Sequence, residues 1–221
     1  TLLKNAESAM HVVKRLRGNG CQIYEAELQQ ASAENLRLEN ELRHAIKRNQ
    51  LFLMYQPIFD LRSRRVVGAE ALVRWKHPEL GLVPPDRFIG MADESGQIHA
   101  IGEWVLAEAC AAARGWTDRG HAGVGVAVNF SATQFHHERF ASRVRAIVRA
   151  SGLPPEALEM EITEGAAMKD PETTVEILGE LKKSGIRVAI DDFGTGYSSL
   201  SYLKRLPIFR MSIGRRLRYD S

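Results

Sequence analysis

The sequence predicts an α/β domain of mainly parallel strands, with too few strands to close an eight-stranded barrel. Three observations carry this reading. From Leu51 onward, short apolar runs alternate with longer amphipathic ones, the order that lays helices over a parallel sheet. Glycines and prolines fall between the runs, as at Gly81 to Pro85 and Gly152 to Pro155, where a chain changes direction. Residues 51–221 also fall short of the ~250 that a closed (β/α) barrel typically takes.

The elements follow in order. Residues 2–16 set Leu2, Ala6, Ala9, Met10 and Val13 at helical spacing. Gly18, Asn19 and Gly20 end that helix, and Cys21 to Tyr24 reads as a short strand. Such a pair buries no core of its own, so it packs on the rest of the chain or closes an upstream domain. Residues 25–49 form a second helix, with Leu38, Leu42 and Ile46 on one stripe and Glu39 four residues before Arg43. That stripe is too short for a coiled coil, and a connector is favoured over a dimerising helix that would give a homodimer. Strands are expected over 51–56, 66–75, 124–130, 158–163 and 187–191. Helices are expected over 86–94, 98–118, 133–150 and 172–184, with a short one near 198–204.

Composition narrows the function classes. The chain is 44% hydrophobic and 26% charged, as in globular domains. No apolar run approaches the ~20 residues of a membrane span, and no signal peptide is recognisable, so no membrane contact is expected. The first residue is not Met, which suggests a piece of something longer. The formal charge is only +3, and Arg210, Arg215, Arg216 and Arg218 near the end outnumber the one acid there, Asp220. A nucleic-acid polymer is therefore not an expected partner. Cys21 and Cys110 lie in unrelated contexts and read as free thiols in a cytoplasmic protein.

Candidate chemistry sits at strand ends. Glu70 lies in GAEALVRW, Asn129 ends VAVNFS, Glu161 lies in LEMEITE, and Asp191 and Asp192 end VAIDDFGTG. Parallel strands converge their C-termini on one rim, where active sites are built. Oxygen donors gathered there suit hard divalent cations, and two metals ~3.5–4 Å apart suit phosphodiester hydrolysis. The bland alternative treats Asn129 as a turn residue and the Asp pair as a cap. Glu70 and Glu161 resist it, because an unpaired charge in an apolar strand is expensive to bury. His136, His137 and Glu138 begin a helix and point to different faces, so no site is expected there. His77 is expected at the surface and Trp104 in the core, and GTGY lacks the Lys and spacing of a phosphate loop.

The segments QPIFDL, GAEALVRWKHP, GLVPPDRFI, ESG, IGEWVL, NFSATQF, LEMEITE and DDFGTGYSSLSYLKRLP resemble, in order, the signatures of the EAL family over roughly residues 41–208. The family name is legible as Glu70, Ala71 and Leu72. The resemblance implies a TIM-like (β/α) barrel of the EAL type, incomplete here and lacking its last strands. It implies hydrolysis of cyclic di-GMP to linear pGpG with two Mg²⁺ or Mn²⁺ ions. Glu70, Asn129, Glu161 and Asp191 match first-metal ligands, and Asp192 matches a second-metal ligand beside the bridging Asp191. Gln56 and Arg74 match positions that contact the dinucleotide, and Glu164 matches the acid bracing the loop from Phe193 to Ser199. Residues 2–28 resemble the closing helix and strand of a GGDEF cyclase domain, which implies upstream GGDEF or sensor domains in a longer parent.

Four segments are thus expected: a GGDEF remnant over 1–28, a helical connector over 29–49, a partial EAL domain over 50–208, and an Arg-rich tail over 209–221 outside the family pattern. After LKRLPI the family continues into a DxLKID-type strand, where this chain reads Phe209 to Arg216. A frameshift near Ile208, or a short paralogue, would account for the change. Without that Lys and a later Glu, little or no turnover is expected. The alternative is a non-catalytic module that binds cyclic di-GMP or a protein.

Overall fold

A computed structural model describes residues 26–194 and 206–213. The expected helix over 2–16, strand over 21–24 and helix near 198–204 lie outside the described residues. The chain enters on helix α1 (Ala26–Ala45) and forms strands β1 (Leu51–Phe59), β2 (Val66–His77) and β3 (Gly81–Val83). Helices α2 (Pro85–Glu94) and α3 (Ile98–Asp118) lead to β4 (Gly125–Phe130). Then come α4 (Ala132–Phe135), α5 (Phe140–Ser151), β5 (Leu158–Thr163), α6 (Glu164–Lys169), α7 (Pro171–Lys183), β6 (Arg187–Phe193) and β7 (Arg210–Ile213).

These strands make one sheet in the order β1-β2-β4-β5-β6-β7, with β3 paired to β2. β1 and β3 run antiparallel to β2, and every pairing from β2/β4 to β6/β7 is parallel. Alternation divides each parallel strand between two environments. Val126 and Val128 on β4, Leu158, Met160 and Ile162 on β5, and Val188 and Ile190 on β6 are buried in one core with Leu106, Ala109 and Cys110 of α3. Each such aliphatic group contributes about 1.5–3 kcal/mol by leaving water. The intervening positions, Ala127, Asn129, Glu159, Glu161, Ala189 and Asp191, share the opposite face.

Several expectations needed correction. The single helix over 133–150 is two. Ser131 and Gln134 form a capping box that fixes the start of α4. α4 then ends at Phe135, and the turn before α5 lets Phe135 and Phe140 both bury, their rings 5.5 Å apart. His77 is not at the surface. It is 3% exposed, because α1 covers the β2–β3 hairpin and places the Glu41 carboxylate 2.5 Å from its Nε2. Its Nδ1 accepts the Glu79 and Leu80 amides. The stripe Leu38 and Leu42 on α1 is buried in the chain's own core. Trp104 is only half-buried, packed against the core. Cys110 is a buried free thiol, and burial pushes its pKa up to about 11.

Within the segment expected as an Arg-rich tail outside the family pattern, Arg210–Ile213 forms β7, the sixth strand along the sheet. Its alternation of Arg210, Met211, Ser212 and Ile213 fits the half-polar environment beside β6. The strand start at Gly125 is also closely fitted, since a methyl group there would sit 2.8 Å from the Ala157 carbonyl oxygen. Gly125→Ala is therefore expected to lower stability by about 1–3 kcal/mol in urea unfolding. Gly165→Ala, where the methyl meets nothing within 4 Å, is expected to be neutral or slightly stabilising.

Candidate active site

The polar face of the sheet gathers most of the residues expected at the site. Gln56 on β1 lies directly across from Glu70 on β2, so both side chains share that face. Asn129 on β4 pairs in register with Glu161 on β5, and Thr163 with Asp191 on β6. Glu70, Asn129, Glu161 and Asp191 thus come from four consecutive strands. The Asn129 amide donates to Glu70 Oε1 at 2.7 Å. Gln56 is exposed, and Arg74, two steps beyond Leu72 on the same face, donates from Nη1 to the Val73 carbonyl at 2.9 Å.

The end of β6 departs from regular strand geometry. The β6/β7 register slips between Ile190 and Phe193, and Asp192 has φ 54°. That left-handed geometry is tolerated by aspartate better than by most residues. Glu164, only 2% exposed, accepts the Gly194 amide at 2.7 Å on its Oε2. It thereby fixes the backbone two residues past Asp192, at a glycine with φ 90°.

Glu161 is the most perturbed acid. Burial pushes its carboxyl up to about 7, and Glu70, Glu159 and Asp191 add repulsion that the Arg210 guanidinium partly offsets. Arg210 Nη2 lies 2.8 Å from Glu161 Oε1 and 2.5 Å from Glu159 Oε1. The Ser212 hydroxyl donates to Asp191 Oδ1.

Glu159, Arg210 and Ser212 are thus site residues that the motifs did not name. Glu159 was within reach of period-two spacing, two residues before Glu161, whereas Arg210 and Ser212 reach the site only through the pairing of β7 with β6. Among the described residues, no three His, Cys, Asp or Glu side chains converge as a metal-holding group, since the carboxylates turn to partners of this chain. The donor set still fits a hard divalent cation. It is all oxygen, it sits at strand ends, and burial together with repulsion from Glu70 raises its central carboxyl to about 7, a strain that a bound cation would relieve. His136 takes no part, as its Nε2 meets the Ala166 carbonyl at 2.9 Å.

Comparison with known proteins identifies the family. Residues 39–220 match the EAL domain family, and the chain belongs to it. It is 44% identical to the bifunctional diguanylate cyclase/cyclic di-GMP phosphodiesterase MucR of Pseudomonas aeruginosa, over 97% of this chain and 31% of MucR. It is 42% identical to the cyclic di-GMP phosphodiesterase NbdA of the same organism, over 99% of this chain and 28% of NbdA. The chain therefore spans about a third of the length of these relatives. A solved complex of the PaMucR phosphodiesterase with c-di-GMP superimposes with a TM-score of 0.80 at 45% identity, covering 83% of this chain and 76% of that one. The family match runs past the boundary expected at 208, so β7 lies within it. Set on the DxLKID pattern from Phe209, Ser212 falls at the Lys and Gly214 at the second Asp.

A pH dependence follows for the metal-free protein. Glu161 ionises near 4.5 when unfolded but near about 7 when folded. The folded state thus binds the extra proton between those values, and stability falls as pH rises through that window. Glu161→Gln should remove this fall, on the order of 3 kcal/mol, measured by urea unfolding in EDTA across the same pH range.

Proposed function

We propose that this chain is an EAL module that binds cyclic di-GMP and a divalent cation, Mg²⁺ or Mn²⁺, with hydrolysis greatly slowed by the residues of β7. The observation that carries this reading is the row of Glu70, Asn129, Glu161 and Asp191 on four consecutive strands. These four would hold the first ion, and Asp192 would hold a second beside Asp191. Bound metal supplies Lewis-acid polarisation of the phosphodiester and an activated water.

The chain's own residues do the positioning. Arg74 offers a planar guanidinium that can grip a phosphate in two places, and Gln56 offers amide donors and acceptors beside Glu70. Glu164 holds the Gly194 amide and so keeps the turn after Asp192 in place. Ser212, at the Lys position, can pass a hydrogen bond to Asp191 but carries no positive charge. Loss of one such electrostatic group costs about 10²–10³ in rate.

The matched MucR carries a cyclase as well as a phosphodiesterase name, which supports an upstream cyclase domain of the kind expected from residues 2–28. The free, buried Cys110 fits a cytoplasmic setting. No described helix is long and apolar enough to cross a membrane.

Calorimetric titration is expected to detect cyclic di-GMP binding, weakened by Arg74→Ala. Product analysis with Mn²⁺ is expected to find little pGpG, with Ser212→Lys raising the yield. Efficient turnover by the unaltered chain, abolished by Asp191→Asn, would contradict the slowed-hydrolysis reading.

A further inference from the structure

Each carboxylate of the proposed first-metal set already holds a donor from this chain. Glu70 accepts the Asn129 amide, Glu161 the Arg210 guanidinium and Asp191 the Ser212 hydroxyl. Only Arg210 brings charge. Its Nη2 touches both Glu159 and Glu161, while its Nε is buried and makes no hydrogen bond among the described residues. The reach is possible because Ala189 pairs in register with both Glu161 and Arg210, so only a methyl group stands between them. Toward the N-terminal strand ends, Arg210 and Glu159 border a cavity of about 770 Å³, also lined by Gly125, Arg187 and Phe209. The guanidinium therefore has room to move off Glu161 without leaving Glu159.

The geometry points to Arg210 as a tethered counter-ion: it balances the charge of Glu159 and Glu161 while no divalent cation is bound, and gives up Glu161 when one binds. This rests on the metal-site reading above and goes beyond it, because it makes occupancy a competition between an internal and an external cation. Coulomb's law sets the scale. Even at water's dielectric, a unit charge a few ångströms from a divalent ion repels it enough to change affinity about tenfold. The opposing possibility is that Arg210 orients Glu161 as a ligand, in which case removing it would weaken metal binding.

The test is Mn²⁺ affinity, read from the electron paramagnetic resonance of free ion, for the unaltered protein, Arg210→Ala, Arg210→Lys and Arg210→Gln. Arg210→Ala and Arg210→Gln are expected to bind Mn²⁺ at least about tenfold tighter, and Arg210→Lys to change least. The metal-free alanine variant should melt lower than the parent, and Mn²⁺ should raise its melting temperature by more. If Arg210→Ala does not fold without metal, the glutamine and lysine variants give the same comparison. Equal or weaker binding in the neutral variants overturns the counter-ion role while leaving the metal site intact. No Mn²⁺ binding by any of the proteins, with Asp191→Asn unchanged from the rest, overturns the metal site and the competition together.

Discussion

Four carboxylates, Glu70, Glu159, Glu161 and Asp191, share the polar face of one sheet, and their mutual repulsion constrains that whole face. The backbone pairing leaves them no way apart: Glu159 and Glu161 lie two residues apart on one strand, and Asp191 comes from the next. Removing such charges from water is costly unless a counter-charge or hydrogen-bond donors meet them. Among the described residues, the donors are an amide, a hydroxyl and one guanidinium. Burial, with repulsion from Glu70, Glu159 and Asp191 that Arg210 only partly offsets, therefore pushes the Glu161 carboxyl up to about 7.

This constraint explains the importance of β7, the short strand Arg210–Ile213. It delivers both Arg210 and Ser212 to the polar face, and its pairing with β6 is what brings them within reach. The backbone pairing with β6 does not depend on which side chains stand at 210 and 212. A strand can therefore hold its place in the fold while its two inward residues change what the site does.

Much of this was legible in the sequence, for identifiable reasons. β1, β2, β4, β5 and β6 stood out because apolar runs between glycine and proline breaks are strong local signals, and Glu70 and Glu161 stood out as charges inside them. The misses are tertiary. His77 looked like a turn residue because nothing local reveals that α1 covers it and offers Glu41. The break between α4 and α5 depends on two phenylalanines reaching one core. Arg210 was read as part of a basic tail, because its role appears only when Ala189 leaves a gap across which it meets Glu161.

The central claim is that the strand-end carboxylates form a cation site that this chain balances internally when metal is absent. Anomalous diffraction at the manganese edge, from crystals grown with and without Mn²⁺, tests it most directly. The account predicts a peak among Glu70, Asn129, Glu161 and Asp191, with Arg210 withdrawn from Glu161 and still paired to Glu159. A peak elsewhere, or a filled site with Arg210 unmoved on Glu161, would contradict it.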